Sequence, residues 1–514
     1  MSQAIMIQGT ASNVGKSMLA TALCRIFAQR GFRTAPFKSW NMGLNSAVTP
    51  QGGEIGRAQA VQAKAAGIEP TVDMQPMLIK PKGDGKSQVI VRGRPIGDFG
   101  LDRKTDDYIN WALETIDQSL ISLAEEFEVL VLEGAGSPAE INIKDRDLAN
   151  MKVASLHDTP VLLVADVDRG GALASVVGTL KLLPKEERRL VKGIVLNKFR
   201  GDYEILKPGL ETIEEKTGKP VLGVIPYFKD FKIPDEDSAS LSGFKTEEAE
   251  IKIGVVKLPH ISNFTDFDAL ALESKVGVEY ITSKDSKKLS SYEAVIIPGT
   301  KNTTADLNYL KESGLADELK RISAEDTPLV GICGGYQMLG EKLYDPELKE
   351  GKEKELKGLG LLDIETTFLA EKQTYQAEAV IESKASFWAG LEGERISGYE
   401  IHMGRTKRGE KAEAMFRLVS RAKREVSIKE GAYSKEGLVW GTYLHGIFSN
   451  DNFRRRFINW LRDRKGLLPL KEDNLSHQEE MVKNFDQLAK LVEENINFKQ
   501  VEEILAEGTI SHGS

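Results

Sequence analysis

The sequence predicts an α/β protein made of two doubly wound domains. Three observations predict it. Short runs rich in Val, Leu and Ile recur with little polar alternation, as expected of parallel strands covered on both faces. Segments with helical spacing separate these runs, which is the alternation that lays helices on both sides of a sheet. The pattern breaks once, at Tyr227–Gly243, where Pro, Asp, Ser and Gly accumulate, and then resumes.

In the first block, Ala4–Gln8 reads as a short apolar strand. Ser17–Arg30 has helical spacing, with Gly31 where a helix-ending glycine belongs. Thr34–Phe37, Val129–Leu132, Val161–Ala165, Val191–Leu196 and Val221–Ile225 supply further strands. This predicts a first domain over 1–235 and a linker over 236–250. The second block starts at Ile251–Lys257 and continues through Ala294–Ile297 and Leu329–Ile332. It becomes strand-rich between 361 and 443, for a domain over 251–450. A helical tail over 451–514 follows, with Met481, Phe485, Leu488 and Val492 at helical spacing. The charged run Asp345–Lys357 reads as a solvated loop or helix face.

Composition narrows the class. At about 150 residues per domain, 514 residues allow two to four domains. A net charge of −8 argues against nucleic-acid binding, which calls for a basic face. No apolar run approaches the roughly 20 residues that cross a bilayer. The opening MSQAIMIQGT runs straight into a strand rather than a cleavable leader. Two cysteines, Cys24 and Cys333, cannot form a disulfide framework and suit a reducing cytosol. A cytoplasmic protein is expected.

The first strand leads into Gly9-Thr10-Ala11-Ser12-Asn13-Val14-Gly15-Lys16-Ser17 and then a helix. The usual phosphate loop has four residues between its first Gly and the Gly-Lys pair; here there are five. The physical requirements still hold. Gly9 and Gly15 permit close backbone approach, and the N–H groups from Thr10 to Asn13 and the helix end can cradle phosphate oxygens. Lys16 can reach the β- and γ-phosphates of ATP, and Ser17 can ligate Mg²⁺. The longer loop resembles that of dethiobiotin synthetase, a ligase that phosphorylates its acid substrate.

Successive strand ends should then carry acid-substrate chemistry, since ligands in this architecture bind beyond the carboxyl ends of the strands. Lys38 follows the second strand. Glu133, opening Glu133-Gly-Ala-Gly-Ser-Pro-Ala-Glu140, is a candidate second Mg²⁺ ligand. Asp166-Val-Asp168-Arg169 offers carboxylates and a cation, and Asn197 is placed to read the nucleotide base.

In the second block, Gly331-Ile-Cys333-Gly334-Gly335 follows a strand and precedes a short helix. Small neighbours let a strained turn expose the sulfur, and adjacent N–H groups can form an oxyanion hole. A thiolate forms more easily at a helix N-terminus. The Pro298-Gly299-Thr300-Lys301 turn can add a donor. His445, at the end of a late strand, is the expected base. His402 in Tyr399-Glu400-Ile-His402 is the second candidate.

This elbow resembles class I glutamine amidotransferase domains. The resemblance implies that Cys333 attacks the side-chain amide of glutamine, that His445 moves the proton, and that ammonia is released. Those domains place a Glu two residues after the His; here Ile447 stands there, and the orienting group stays open. That departure is shared by a subgroup with a phosphate-loop synthetase domain fused in front, the cobyrinic and cobyric acid amidases. Within it, the cobyric acid branch is most similar. Phe37–Ser46, Gly52–Gln59, Glu133–Glu140, Ile261–Asp268 and Pro298–Thr303 carry the likeness, with departures at Gly43, His260 and Thr300.

The resemblance implies ATP-dependent amidation of the b, d, e and g carboxylates of adenosylcobyrinic a,c-diamide through acyl phosphates. ATP and Mg²⁺ serve the synthetase, and glutamine is the nitrogen donor. Lys38, Arg57 and Arg169 are the expected cations for the polyacidic corrinoid. The alternatives are a cobyrinic acid a,c-diamide synthase, an amidase of cell-wall lipid precursors and, in another class, a nucleotide-binding partitioning protein without amidase activity.

Overall fold

The computed structural model describes residues 2–83, 86–100, 106–228, 249–383, 385–434, 436–470 and 476–510. The chain folds as two units. One gathers Met1–Gly43, Glu54–Ile233 and Met481–Ser514; the other gathers Leu44–Gly53 and Pro234–Glu480.

The first unit is organised by a sheet in the order Val221–Pro226, Val191–Phe199, Val161–Asp166, Ser2–Gly9, Val129–Glu133, Thr34–Phe37, all parallel. The order reverses beside Ser2–Gly9, so a crevice opens at the carboxyl end of that strand. Val129–Glu133 and Val161–Asp166 are buried along their whole length. That explains the apolar runs without alternation. The helix Lys16–Gln29 leaves the crevice and ends with Gly31 at φ +90°, a left-handed position that glycine adopts at no steric cost. A second, four-stranded sheet (Trp40–Met42, Met77–Gly83, Lys86–Val91, Arg94–Gly100) was not expected from the pattern.

The tail differs from a single contiguous segment. Residues 451–464 form a helix whose Phe453, Phe457, Ile458 and Leu461 join the core of the second unit. Further on, helices His477–Asn495 and Phe498–Glu507 are separated where Asn497 caps the second through Gln500 N. Phe485 packs on Val61 and Ala65. Leu488, Val492, Val501 and Leu505 pack with the inner face of Lys16–Gln29. Arg25 and Gln29 donate to Asp486 at 2.7 Å. The closing Thr509–Ile510 adds an antiparallel strand to Ser2–Gly9, pairing Ser2 with Ile510.

The second unit carries a sheet in the order Val276–Ile281, Ile251–Val256, Ala294–Ile297, Leu329–Ile332, Val439–Thr442, parallel throughout. Ala432–Ser434 and Ala412–Glu413 extend it antiparallel. The strand-rich stretch forms a separate sheet around the long pair Ile364–Ile381 and Arg395–Arg408. The linker expected over 236–250 lies outside the described residues apart from Ala249 and Glu250. The charged run is only partly solvated: Asp345 is buried and accepts from the N–H groups of Lys349, Glu350 and Gly351.

Glu430 is a buried acid in this second core. Burial pushes its carboxyl up to about 7, against hydrogen bonds from Tyr443 N at 2.6 Å and Thr442 Oγ1 at 2.7 Å. The folded protein therefore holds this proton more tightly than the unfolded chain does. The resulting stability is fully present below the ordinary value of 4.5 and is lost as pH rises through about 7. The change amounts to about 3 kcal/mol at most. Glu430→Gln removes the titration, so thermal melting followed across this range should flatten relative to the parent protein.

Candidate active sites

In the first unit, the loop after Ser2–Gly9 is shaped by two local constraints. Gly15 lies at φ +100°, and a Cβ there would collide with the Asn197 amide. Asn13 also takes a left-handed conformation, at φ 60°, one that its short polar side chain tolerates. Thr10 N donates to Val164 O at 2.9 Å, tying the loop to the neighbouring strand. Lys16 Nζ reaches Ala11 O at 3.1 Å and Gly136 O at 3.2 Å, so its ammonium lies across the loop.

Glu133 is the centre of this site. Ser17 Oγ donates to its Oε1 at 2.8 Å, Lys38 Nζ meets the same oxygen at 3.0 Å, and Gln62 Nε2 donates to Oε2 at 2.6 Å. Both Lys38 and Glu133 are buried, where a charge is tolerated only when paired and hydrogen-bonded. A hydroxyl and a carboxylate held side by side are the oxygen donors Mg²⁺ takes from a protein beside nucleotide phosphates, and they fit that ion. Gln62 belongs to the helix Arg57–Ala65, which Arg57 opens; the sequence reading missed Gln62.

Asn197 sits under the loop rather than facing outward. Its Nδ2 donates to Val14 O at 2.9 Å and its Oδ1 accepts from Lys198 N at 2.9 Å. The Nδ2 end of the amide thus braces the loop, while the Oδ1 end fixes the adjacent Lys198 backbone. Lys198, at φ 62°, adds bonds to Asn13 O at 2.6 Å and Asp166 Oδ2 at 2.8 Å. Arg169 is well exposed, 3.9 Å from Asp166.

In the second unit, Cys333 stands between the strand Leu329–Ile332 and the helix Gly334–Leu339, at φ 51° and ψ −106°. This is a strained conformation for a residue with a side chain. It persists because its neighbours are small: a Cβ at Gly335 would strike the Ile297 carbonyl. The Cys333 sulfur interacts electrostatically with the imidazole of His445, and Sγ lies 3.4 Å from Ile401 O. Its Nδ1 lies 2.6 Å from Asp266 Oδ2, and the other Asp266 oxygen accepts from Gly446 N at 2.9 Å. Burial works against a charged imidazole here, yet Asp266 and then the Cys333 sulfur raise His445 to about 10. Gly299 fits against both members of the pair: a Cβ there would lie 3.0 Å from His445 Cε1 and 3.7 Å from Cys333 Cβ. Cys24, by contrast, is wholly buried and its thiol is pushed up by that burial, which leaves it inert.

His402 is engaged elsewhere. It bonds Gly404 O at 2.8 Å and Glu400 at 3.3 Å, and stacks on Tyr443 at 3.8 Å. Asp266 is the orienting acid that sequence reasoning did not find. It lies inside the Ile261–Asp268 stretch, 179 positions before the histidine. Asp266→Asn puts an amide where the imidazole needs an acceptor and favours the wrong tautomer. A fall of about 10⁴-fold in glutamine hydrolysis is expected, measured as glutamate release, with ammonia-dependent turnover retained.

The comparisons with known proteins agree across the chain. The CobQ/CobB/MinD/ParA nucleotide binding domain family matches residues 5–241, and the CobB/CobQ-like glutamine amidotransferase domain family matches residues 252–453. Curated relatives include a cobyric acid synthase of Desulforamulus reducens, 50% identical over 99% of both chains. Another, from Pelotomaculum thermopropionicum, is 54% identical over 91% of this chain and 89% of its own. A third, from Moorella thermoacetica, is 49% identical over 98% of each. Among solved structures, PurLQS from Thermotoga maritima is similar at 19% identity and a TM-score of 0.32, over 41% of this chain and 99% of that one.

Proposed function

The chain belongs to the cobyric acid synthase family of glutamine-dependent amidoligases in cobalamin biosynthesis, and from that premise we propose how its two sites divide the reaction. The observation that carries the reading is the Cys333–His445–Asp266 relay on the same chain as a phosphate loop closed by Glu133.

The second unit liberates nitrogen. Cys333 sulfur, its proton resting on His445 Nε2, attacks the side-chain carbonyl of glutamine. Asp266 holds Nδ1 and supports the imidazolium that results. Backbone N–H groups at Gly334 and in the Pro298–Lys301 turn face the developing oxyanion. His445 then returns the proton to the departing nitrogen, the C–N bond breaks and ammonia leaves. Water hydrolyses the thioester to glutamate and restores the thiol.

The first unit prepares the acceptor. A carboxylate is a poor electrophile, so an oxygen of the corrinoid carboxylate attacks the γ-phosphorus of ATP and ADP departs. Ammonia then attacks the acyl phosphate and phosphate leaves. Lys16 carries charge on the transferred group. Lys38, paired with Glu133, is the cation that meets the attacking carboxylate in this reading. Ser17 and Glu133 would hold Mg²⁺, which neutralises phosphate charge when bound. Arg57 and Arg169 recruit the remaining carboxylates of the substrate.

The b, d, e and g carboxylates of adenosylcobyrinic a,c-diamide are the proposed targets. Mass spectrometry of products formed from that diamide, ATP, Mg²⁺ and glutamine tests the reading. Each conversion lowers the mass by the difference between a hydroxyl and an amino group, so the steps count the sites modified. Turnover only of cobyrinic acid would assign the chain to a,c-diamide synthesis instead. Among the described residues no helix is long and apolar enough to cross a membrane, and we place the protein in the cytoplasm.

A further inference from the structure

The second unit contains a short piece of chain from far upstream. Leu44–Gly53 belongs to it, whereas the residues on either side belong to the first unit. The piece is well seated. Ser46 and Thr49 are fully buried. Gln376 Nε2 donates to Val48 O at 3.0 Å, and Val48 clusters with Tyr399 and Ile401. Tyr399 stacks on the His445 ring at 5.1 Å and exchanges backbone hydrogen bonds with it.

The contact that matters runs through Asn263. This residue is buried, at φ 51° and ψ 38°. Its Oδ1 accepts from Ser46 N at 3.0 Å, and its Nδ2 lies 3.4 Å from His445 Nε2. An amide can be turned to exchange its oxygen and nitrogen, but a backbone N–H can only donate. Ser46 N therefore fixes the oxygen on its own side and leaves the NH₂ facing the imidazole. An NH₂ group can donate to an Nε2 lone pair and opposes a proton there. The groups facing this ring thus pull in different directions. Asp266 at Nδ1 and the Cys333 sulfur favour the imidazolium, Tyr399 covers one face, and Asn263 favours an open Nε2.

We propose that Asn263, oriented by the backbone N–H of Ser46, is a positioning residue that weakens the hold of His445 Nε2 on the proton it receives from Cys333 and passes to the departing nitrogen. The proposal rests on the reading of Cys333 and His445 as a glutaminase pair.

The test follows the ¹⁵N signal of His445 with pH in full-length protein carrying Cys333→Ala, which removes coupling to the thiol. Asn263→Gly removes the amide while keeping the left-handed backbone accessible. It should move the imidazole titration upward by about half to one pH unit, the size of one neutral hydrogen bond. Ser46→Pro removes the backbone donor that orients the amide and should shift it the same way. Ser46→Ala keeps that N–H and loses only a hydroxyl without a hydrogen-bond partner, so the titration should stay in place. An unmoved midpoint in both Asn263→Gly and Ser46→Pro, or an equal shift in Ser46→Ala, overturns the proposal. Glutamate release by the protein with Cys333 intact is measured alongside. Its absence would instead overturn the glutaminase reading.

Discussion

Replacing Cys333 with alanine is expected to abolish amidation from glutamine and to leave amidation from ammonium salts in place. The sulfur is the atom that bonds the glutamine carbon, and no neighbouring group substitutes for it. Cys24, the other thiol, is sealed in the core of the first unit. Loss of a nucleophile that acts in concert with its base costs on the order of 10⁶-fold in comparable hydrolases. His445 keeps its bond to Asp266 in this variant, so the fold around the site is retained. Rates are measured with each nitrogen source at saturating ATP and corrinoid. Loss of both activities together would mean that the sulfur serves something besides nitrogen release.

Replacing Lys16 with alanine should have the complementary outcome, failing with either nitrogen source. Its ammonium spans the loop between two carbonyl oxygens, Ala11 O and Gly136 O, the geometry of a cation placed to meet phosphate. The loop itself is held independently by Asn197 and Lys198 through Val14 O and Asn13 O. The variant therefore loses charge rather than shape. Preorganised cationic clamps on a transferring phosphoryl group contribute about 10²- to 10³-fold or more. Corrinoid amidation should drop by at least that factor with ammonium chloride as donor. Glutamate release with corrinoid and ATP omitted reports only on the intact Cys333 relay and separates this loss from general unfolding.

Much of this was legible in the sequence because the chemistry is local. A strand end, a glycine loop and a lysine at a helix start occupy nine consecutive positions, Gly9–Ser17. The Cys333 elbow announces itself through the glycines that its strained backbone requires. Asp266 was not legible. The familiar place to look is two residues beyond the histidine, where Ile447 is a buried core side chain, and nothing local marks an acid that acts across the fold. Asn197 shows a role that its position at a strand end does not announce: its amide braces the loop through Val14 O while keeping a second N–H. Gln62 looks like any helical glutamine until Glu133 is set beside it.

The interlaced path of the chain bears on how the protein is made. Ser2 and Ile510 lie 508 positions apart along the chain, yet they pair in one antiparallel ladder. Leu44–Gly53 is likewise synthesised long before Asn263, Gln376 and Tyr399, against which it settles. The first unit therefore cannot reach its final form until Thr509–Ile510 has been made. The nascent chain must wait for contacts of very large sequence separation, which are the slowest to form. A gene fission at the natural-looking boundary would strand a piece of each half on the wrong polypeptide.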